Sequence, residues 1–330
     1  MTTAEKIIDM QEVTIQFKAA QASSRHASFV QAVSQVSLSV FKGETLALVG
    51  ESGSGKTTLV RSILELVPLT QGTIYFRGQA LQAMSSAQRH DMRRRVQFVF
   101  QDPYGSLNPR LSVRDIIQEP LLVHRLGNQS ARLERVDLMM KQVGLSPQAA
   151  SRYPHQFSGG QRQRIAIARA LASGPELIIA DEPLSALDVS IQSQILNLLS
   201  ELKSATGMSY LLVSHDLNAV HHLADRIAVM YLGRIVELAS KTMLFNAPRH
   251  PYSAALIQSM PKLGTVKRMP GRALPGEIPS PINPPSGCAF HPRCERATEI
   301  CKQITPTMQL LDAQNSVACH HPLEVTCSAF

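Results

Sequence analysis

The chain of 330 residues contains no tryptophan, and aromatic residues make up only 5% of it. Proteins that bind single-stranded nucleic acid stack bases on aromatic side chains, so this scarcity argues against such a surface. No apolar run reaches the roughly 18–20 residues that a membrane-spanning helix needs. The first ten residues also lack the apolar core of a secretory signal. We therefore expect a cytoplasmic protein with no nucleic-acid partner.

Charge is less informative than these absences. The formal net charge is +8, with 44% hydrophobic and 18% charged residues, which is an ordinary globular composition. A basic surface suits nucleic acid, anionic lipid headgroups or nucleotide phosphates. It is equally compatible with a basic surface that binds nothing in particular, so charge alone selects no function.

Cysteine is missing from most of the chain, because all five cysteines lie at or after Cys288. Half of the 20 prolines lie between Pro248 and Pro292. This shift in composition predicts a boundary near residue 250. We expect a main domain over residues 1–250 and, over residues 251–330, a Pro-rich linker with a cysteine-containing extension.

Strands and helices alternate within the main domain. The apolar runs predict strands at 44–50, 72–77, 96–100, 177–180 and 210–214, and a hairpin at 226–238. A helix is predicted from Lys56 to Leu66. Residues 112–172 have a mainly helical pattern, with expected breaks at Pro120 and Pro154. The pattern indicates an α/β fold with a mixed or parallel sheet and a helical subdomain at about 102–172.

A phosphate-binding loop is the strongest local motif. It fits the pattern G-x-x-x-x-G-K-[ST] between a predicted strand and a predicted helix. Its glycines let backbone N–H groups surround phosphates, and the helix N-terminus adds partial positive charge. Lys56 is predicted to contact the β/γ-phosphates, and Thr57 to bind Mg²⁺. The motif comprises Gly50, Glu51, Ser52, Gly53, Ser54, Gly55, Lys56, Thr57 and Thr58.

Two acidic residues end the apolar strand at 177–180. We assign Asp181 to Mg²⁺ and Glu182 to the attacking water, as a general base. Such a pair after a strand is, taken by itself, more often a helix cap or a solvated turn. The phosphate loop in the same chain favours the catalytic interpretation.

Phe157-Ser158-Gly159-Gly160-Gln161 resembles the signature of the ATP-binding-cassette (ABC) family, with Phe157 in the place of the usual leucine. The other family motifs follow in the family's order. They are Gln101 (Q-loop), Ser185-Ala186-Leu187-Asp188 (D-loop) and His215 (switch histidine). The resemblance covers roughly residues 5–245 and implies a P-loop NTPase cassette that binds ATP and Mg²⁺ and hydrolyses ATP.

The resemblance also implies roles for these residues. The signature residues Ser158 to Gln161 close over an ATP that a second subunit holds, which requires a head-to-tail dimer. His215 contacts the γ-phosphate, Gln101 reaches Mg²⁺ or the attacking water, and Asp188 stabilises the dimer seam. Taken alone, a histidine after a strand such as His215 is more often a core or turn residue than a phosphate contact. For the adenine, Phe17 occupies the family's aromatic position, Phe29 is a competitor, and either residue is compatible with the core.

Within the family the chain most resembles the ATPases of oligopeptide, dipeptide and nickel importers. The likeness rests on 100–110, 230–237, His250-Pro251-Tyr252 and the cysteine-containing end. It implies a peripheral subunit on the cytoplasmic face of the inner membrane, with two permease subunits as partners. It further implies a paralogous ATPase or a second copy of the chain, and indirectly a solute-binding protein. The solute stays open. The alternative is a soluble cassette ATPase acting on nucleic acid or ribosomes.

The C-terminal cysteines have the spacing Cys288-x5-Cys294-x6-Cys301-x17-Cys319, with Cys327 left over. This spacing lacks the C-x₂-C pairs of common zinc modules. The likeness to peptide-importer ATPases implies a [4Fe–4S] cluster on the first four, while reduced thiols in a small packed extension are an equal alternative. His320 and His321 are alternative ligand candidates, although a place on the surface of the extension is the favoured interpretation for both. The Pro-rich connector at 274–285 is predicted to lay the extension against its own or a partner subunit.

Overall fold

The computed structural model describes residues 5–18, 29–185, 187–260, 276–312 and 315–324. They fall into two compact units, each built from several chain segments. The first unit takes its residues from Met1–Asp9, Ser39–Thr45 and Tyr75–Val213. The second takes them from Met10–Leu38, Leu46–Ile74 and Ser214–Phe330. Each unit is described separately below.

Twelve strands and eleven α-helices are present in the described residues. The strands are β1 Lys6–Lys18, β2 Phe29–Phe41, β3 Thr45–Val49, β4 Gln71–Phe76, β5 Gln79–Ala80, β6 Val96–Val99, β7 Leu177–Asp181, β8 Ser209–Ser214, β9 Arg226–Tyr231, β10 Arg234–Ser240, β11 Gln309–Asp312 and β12 Asn315–Val317. The helices are α1 Lys56–Ile63, α2 Ser86–Arg95, α3 Pro103–Ser106, α4 Val113–Val123, α5 Gln129–Gln142, α6 Gly159–Ala172, α7 Val189–Thr206, α8 Leu217–Leu223, α9 Lys241–Asn246, α10 Pro251–Gln258 and α11 Glu299–Gln303. Short 3₁₀ turns occupy Leu81–Ala83, Pro147–Ser151, Pro154–Gln156 and His291–Arg293.

The first unit contains three parallel strands in the order β6–β7–β8. Every residue of β7 and β8 is buried, as expected for strands covered on both faces. Leu177 pairs with Val96 on one side and with Ser209 on the other. This register brings the carboxyl ends of the strands to one edge, where ligands bind in open α/β sheets.

Helices α4, α5 and α6 pack together in the first unit, within the predicted helical subdomain. The expected break at Pro120 was wrong, because α4 runs from Val113 through Pro120 to Val123. A proline removes one backbone donor, and here the apolar face formed by Val113, Ile116, Ile117 and Leu121 stays buried despite that loss. The break at Pro154 is confirmed, since this residue begins a separate 3₁₀ turn.

In the second unit, antiparallel strands are added to the parallel pair formed by β3 and β9. β9 and β10 form the predicted hairpin, and β12 pairs with β10 and then with β11. Glu237 of β10 lies opposite Val317 of β12, so the C-terminal extension supplies the last strands of this sheet. The connector also touches its own chain, because Gln31 N–H donates to the Pro281 carbonyl at 3.0 Å.

The predicted strands at 44–50, 72–77, 96–100, 177–180 and 210–214 are all present, shifted by one or two residues at their ends. Helix α1 ends at Ile63 rather than Leu66, and residues 64–67 form turns. Within the part of the chain that is described, no helix has both the length and the apolar character that crossing a membrane would need.

Candidate nucleotide site and cysteine site

The phosphate loop connects β3 to α1 in the second unit, as the motif predicts. Gly50 and Gly55 have φ values of 155° and 101°. A Cβ on Gly50 would lie 2.1 Å from the Met230 carbonyl oxygen, and one on Gly55 would lie 2.0 Å from that of Ala32. Both oxygens are backbone atoms with little freedom to move. The loop is therefore closed tightly around positions that only glycine can occupy.

Lys56 begins α1, and its side chain folds back into the loop. Its ammonium group donates to the carbonyl oxygens of Gly50 at 2.8 Å and Glu51 at 2.9 Å, and to Ser54 Oγ at 3.3 Å. Only 4% of the residue is exposed. The ammonium charge thus lies beside the N-terminus of a helix. Together, the charge and the helix dipole favour binding of an anion such as a nucleotide phosphate.

In the first unit, the two acids predicted to act in hydrolysis lie at the end of β7. Asp181 is fully buried. Glu182 has the unusual φ of 48°, and its N–H donates to the Val213 carbonyl at 2.9 Å. Gln101, which follows β6, donates from Nε2 to Glu182 Oε2 at 3.0 Å. The structure therefore brings together two of the three residues predicted as catalytic.

The signature residues form the start of α6. Ser158 Oγ accepts the Gln161 N–H at 3.4 Å, and the Gln161 side chain accepts the Ser158 N–H at 3.0 Å. This reciprocal capping box fixes the first turn of a 14-residue helix. Gly160 lies against α7, where a Cβ would meet Ile191 Cγ2 at 2.4 Å. The helix N-terminus can receive a second phosphate group.

The D-loop and the switch histidine each lie just before a helix, α7 and α8 respectively. Ser185 Oγ donates to the Glu182 carbonyl at 3.1 Å, and Asp188 is the exposed N-cap residue of α7. Ala186 lies outside the described residues. His215 follows β8, belongs to the second unit and is exposed. His215 is thus not a core residue.

Neither adenine candidate is buried. Phe17 is 40% exposed and Phe29 is 42% exposed, so the interpretation of either as a core residue is excluded. Exposed aromatic faces are available for stacking. The preference for Phe17 stays a prediction. So does Mg²⁺ binding by Thr57, Gln101 and Asp181.

The four predicted cysteine ligands line one cavity of the second unit, and all four are free thiols: Cys288, Cys294, Cys301 and Cys319. Burial raises the pKa of Cys319 to about 11, and it also raises the pKa of Cys288 and Cys294. As isolated thiols they are therefore protonated and weak nucleophiles at neutral pH. No three His, Cys, Asp or Glu side chains among the described residues are arranged to hold a single metal ion.

His250 also lines the cysteine cavity, and it is 1% exposed. Its Nδ1 accepts the Tyr252 N–H at 3.0 Å, which places the ring proton on Nε2. Nε2 has no hydrogen-bond partner within the described part of the chain. The two histidines named as ligand candidates from the sequence have protein partners: His320 Nε2 contacts the Ile304 carbonyl at 2.8 Å, and His321 Nε2 contacts Thr298 Oγ1 at 2.7 Å. Cys327 lies outside the described residues.

Sequence reasoning missed two residues that contact the phosphate loop. Arg293, between two of the cysteines, forms an ion pair with Glu51, and Tyr252 accepts the Glu51 N–H. Tyr252 lies in a stretch that the sequence singled out only for its likeness to importer ATPases. No local signal predicts either contact.

Comparison with known families gives two matches that follow each other along the chain. Residues 33–185 match the ABC transporter family, and residues 236–301 match the oligopeptide/dipeptide transporter C-terminal region. The chain is 49% identical over 327 residues to the oligopeptide transport ATP-binding protein AppF of Bacillus subtilis, covering 97% of this chain and 99% of the relative. It is 45% identical over 317 residues to the di/tripeptide transport ATP-binding protein DppF of Pseudomonas aeruginosa, covering 96% and 98%.

Solved structures with the same fold include dimers. The ATP-binding cassette MJ0796, in a dimeric post-hydrolysis state bound to ADP and Pi, superposes with a TM-score of 0.63 at 30% identity. The match covers 71% of this chain and 98% of that one. The predicted α/β cassette fold is confirmed.

Proposed function

The chain belongs to the ATP-binding proteins of ABC transporters, which hydrolyse ATP to power transport, and from this premise we propose that it energises the import of di- or oligopeptides. The observation that carries the proposal is the likeness to peptide-transport ATPases along nearly the whole chain, including the C-terminal region. This region is also what favours a transporter over a cassette ATPase acting on nucleic acid or ribosomes.

ATP hydrolysis is assigned to the residues at the two strand ends. Glu182 takes a proton from the water that attacks the γ-phosphorus, while the bond from that phosphorus to the bridging oxygen breaks and ADP leaves. The hydrogen bond from Gln101 and the backbone bond to Val213 support this assignment, because they hold the carboxylate in place. Mg²⁺ would supply neutralisation of phosphate charge, and Thr57, Gln101 and Asp181 are the residues proposed to hold it. His215 contacts the γ-phosphate.

The working form is proposed to be a head-to-tail dimer. The phosphate loop and Lys56 hold one ATP, and Ser158, Gly159 and Gly160 of the other subunit close over it. Support comes from the open helix start at the signature and from dimeric cassettes of the same fold. The second subunit is a paralogue or another copy of this chain.

The membrane partners are proposed to be two permease subunits, with the chain on the cytoplasmic face of the membrane. The segment after the Q-loop is suited to meeting them. Tyr104 in α3 is exposed, and the Arg162 guanidinium stacks over its ring at 3.9 Å from the centroid. A solute-binding protein supplies the peptide indirectly.

We also propose that the functional boundary lies near residue 250, with the cassette before it and the extension after it.

Deleting the gene in its host and measuring uptake of a radiolabelled dipeptide and a pentapeptide tests the peptide assignment. Uptake of at least one peptide should fall to background and be restored by the wild-type chain. The Lys56→Ala chain, expressed to the same level, should not restore it. Unchanged uptake of both peptides, with loss of nickel or sugar uptake instead, would overturn the peptide assignment.

We further propose that Cys288, Cys294, Cys301 and Cys319 hold an iron–sulfur cluster. Four thiolates are the usual ligands of such clusters. The chemistry of the donor set suits a cluster, since all four thiols line one cavity, and the buried Nε2–H of His250 lines the same cavity as a candidate donor to a sulfur atom. In this structure the thiols are not arranged to hold a metal ion, so cluster binding would require them to rearrange. The competing state, packed reduced thiols, is favoured by the small size of this cavity, about 10 Å³.

Anaerobic purification distinguishes the two states. A cluster gives about four irons per chain and a brown absorbance, and Cys301→Ser removes both. Cys327→Ser, the matched control, leaves them intact. Colourless, iron-free protein from anaerobic preparation would establish the thiol state.

A further inference from the structure

Arg293 reaches from the cysteine-containing extension into the phosphate loop of the same unit. Its Nη1 donates to Glu51 Oε2 at 2.7 Å, and its Nη2 donates to Glu51 Oε1 at 3.0 Å. Glu51 is the second residue of the loop motif. A two-pronged pair of this kind fixes both the distance and the orientation of the carboxylate. Only 6% of Arg293 is exposed, so the guanidinium group is largely shielded from water, while the Glu51 side chain is 22% exposed.

Every polar group of Glu51 is engaged. Its N–H donates to Tyr252 Oη at 2.9 Å, its carbonyl accepts from Lys56 Nζ at 2.9 Å, and its carboxylate accepts from Arg293. Two of these three partners come from outside the loop. The position of Glu51, and with it one of the three oxygens that accept from the Lys56 ammonium group, is therefore supported by two residues more than 200 positions away along the chain.

The surroundings hold Arg293 and Tyr252 rigidly. The rings of Tyr231, Tyr252 and Phe290 pack against one another with centroids 4.7 to 5.3 Å apart. Tyr231 Oη accepts a bond from Arg293 Nη1 at 3.4 Å. The hydrogen bond to Glu51 raises the pKa of the Arg293 guanidinium, so it stays charged.

The turn that carries Arg293 is the same one that carries two of the cysteines. His291 N–H donates to the Cys288 carbonyl at 2.9 Å, Arg293 N–H to the Phe290 carbonyl at 3.0 Å, and Cys294 N–H to the His291 carbonyl at 3.3 Å. A change in the arrangement of Cys288 and Cys294 must shift the backbone of Arg293 with it. The ion pair then transmits that change to Glu51.

We propose that Arg293 is a positioning residue for ATP binding, which holds the phosphate loop ready for nucleotide and makes ATP affinity depend on the state of the cysteine-containing turn. The inference rests on the proposed role of the loop in binding ATP, but it is independent of the transported solute. Arg293 does not touch the reacting atoms. Its removal should weaken nucleotide binding while leaving the rate of hydrolysis at saturating ATP nearly unchanged.

The test measures the Kd of a non-hydrolysable ATP analogue and the KM and kcat of ATP hydrolysis, on the full chain in complex with its membrane subunits. Arg293→Ala and Glu51→Gln should each raise Kd and KM about 10- to 100-fold, because each leaves a shielded charged group without its partner. We expect kcat to change less than about threefold. Arg293→Lys keeps the charge but loses the two-pronged hydrogen bond of the guanidinium group. Its Kd and KM should lie between those of wild type and Arg293→Ala.

Lys302→Ala is the matched control. Lys302 is a cation of the same extension whose ion pair with Glu299, at 3.1 Å, is exposed and does not involve the loop. Its loss should leave Kd and KM at wild-type values. Thermal melting of each variant separates a local effect from misfolding, and Arg293→Lys serves if Arg293→Ala does not fold.

Two results would overturn the proposal. One is an unchanged Kd in folded Arg293→Ala or Arg293→Lys protein. The other is a fall in kcat that accounts for the whole loss of kcat/KM, which would indicate a role in hydrolysis instead. If the wild-type chain binds ATP but supports no peptide uptake, the peptide assignment fails and the positioning role of Arg293 stands.

The dependence on the cysteines has its own test. Cys294→Ser should raise Kd in the wild-type background but add little to Arg293→Ala, because both changes act through the same ion pair. If the fold increase in Kd of the double variant equals the product of the two single increases, the cysteine-containing turn does not act through Arg293.

Discussion

The phosphate loop and the signature segment are both N-terminal helix sites suited to phosphate, but they are held in opposite ways. In the second unit, the loop is closed by backbone carbonyl oxygens and by the buried Lys56. In the first unit, Ser158 and Gly159 are exposed or partly exposed, and the helix start is fixed by its own capping box and by the packing of Gly160 against α7. The difference supports the proposed division, in which the chain forms one binding site in advance and presents the other to the nucleotide of a second subunit.

The catalytic strand end resembles the open site more than the closed one. Glu182 is held at its backbone by Val213, and its carboxylate accepts a bond from the exposed Gln101. A side chain that has to respond to nucleotide and to the membrane subunits must be able to rearrange.

The largest expected effect is on hydrolysis itself. Glu182→Gln should lower kcat by about 10²- to 10⁴-fold, because the amide cannot take the proton from water. The Kd for ATP should stay within about threefold, since the phosphate loop is unaltered. The rate of phosphate release at saturating ATP gives kcat, and equilibrium nucleotide binding gives the Kd. Glu201→Gln, an exposed acid on α7, is the matched control, and unchanged turnover in Glu182→Gln would refute the assignment.

A smaller effect, on binding rather than turnover, is expected from Lys56→Ala. Removing this charge from the phosphates should raise the Kd for ATP by about 10- to 100-fold. Fluorescent-nucleotide titration measures it. Lys42→Ala removes an exposed lysine paired with Glu5 and should have no effect. Equal affinity in Lys56→Ala and wild type would contradict the description of the loop as the main anion site.

Glycine substitutions compare the two sites directly. In Gly55→Ala the new Cβ meets a backbone carbonyl at 2.0 Å, whereas in Gly160→Ala it meets the end of an isoleucine side chain at 2.4 Å. We expect losses of unfolding free energy of about 3 kcal/mol or more for Gly55→Ala and about 1–2 kcal/mol for Gly160→Ala. Urea denaturation checks the order, and a larger loss for Gly160→Ala would reverse the comparison.

The smallest effect is expected at the cap of α6. Ser158→Ala removes one side of the capping box and should lower the unfolding free energy by about 1 kcal/mol. Ser204→Ala, in the last turn of α7, should cause no loss, because serine bonds back to the helix there without stabilising it. Urea denaturation of the two variants decides. Equal losses would mean that the cap contributes nothing specific at the signature.

Local patterns predicted much of the sheet and the order of the motifs. The local patterns did not predict β1 and β2, which are strands of 13 residues each. Glu12 in β1 and Gln35 in β2 both have φ of 51°. A left-handed residue inside a strand shifts the side-chain alternation by one position, so the period of two that marks a strand is broken. The predicted break at Pro120 was wrong for a different reason. The local signal of a helix breaker is present there, but the packing of α4 keeps the helix continuous.

The sequence by itself determined the chemistry of the nucleotide site, because each motif is a short run whose function depends on local spacing. The tertiary structure alone decided which distant residues support that chemistry. Gln101 meets Glu182 across 81 residues, and Arg293 meets Glu51 across 242. Such contacts depend on strand order and on burial of charge, neither of which leaves a periodic trace in the chain. The cysteine spacing marked the extension as unusual, and only the fold showed that it reaches the phosphate loop.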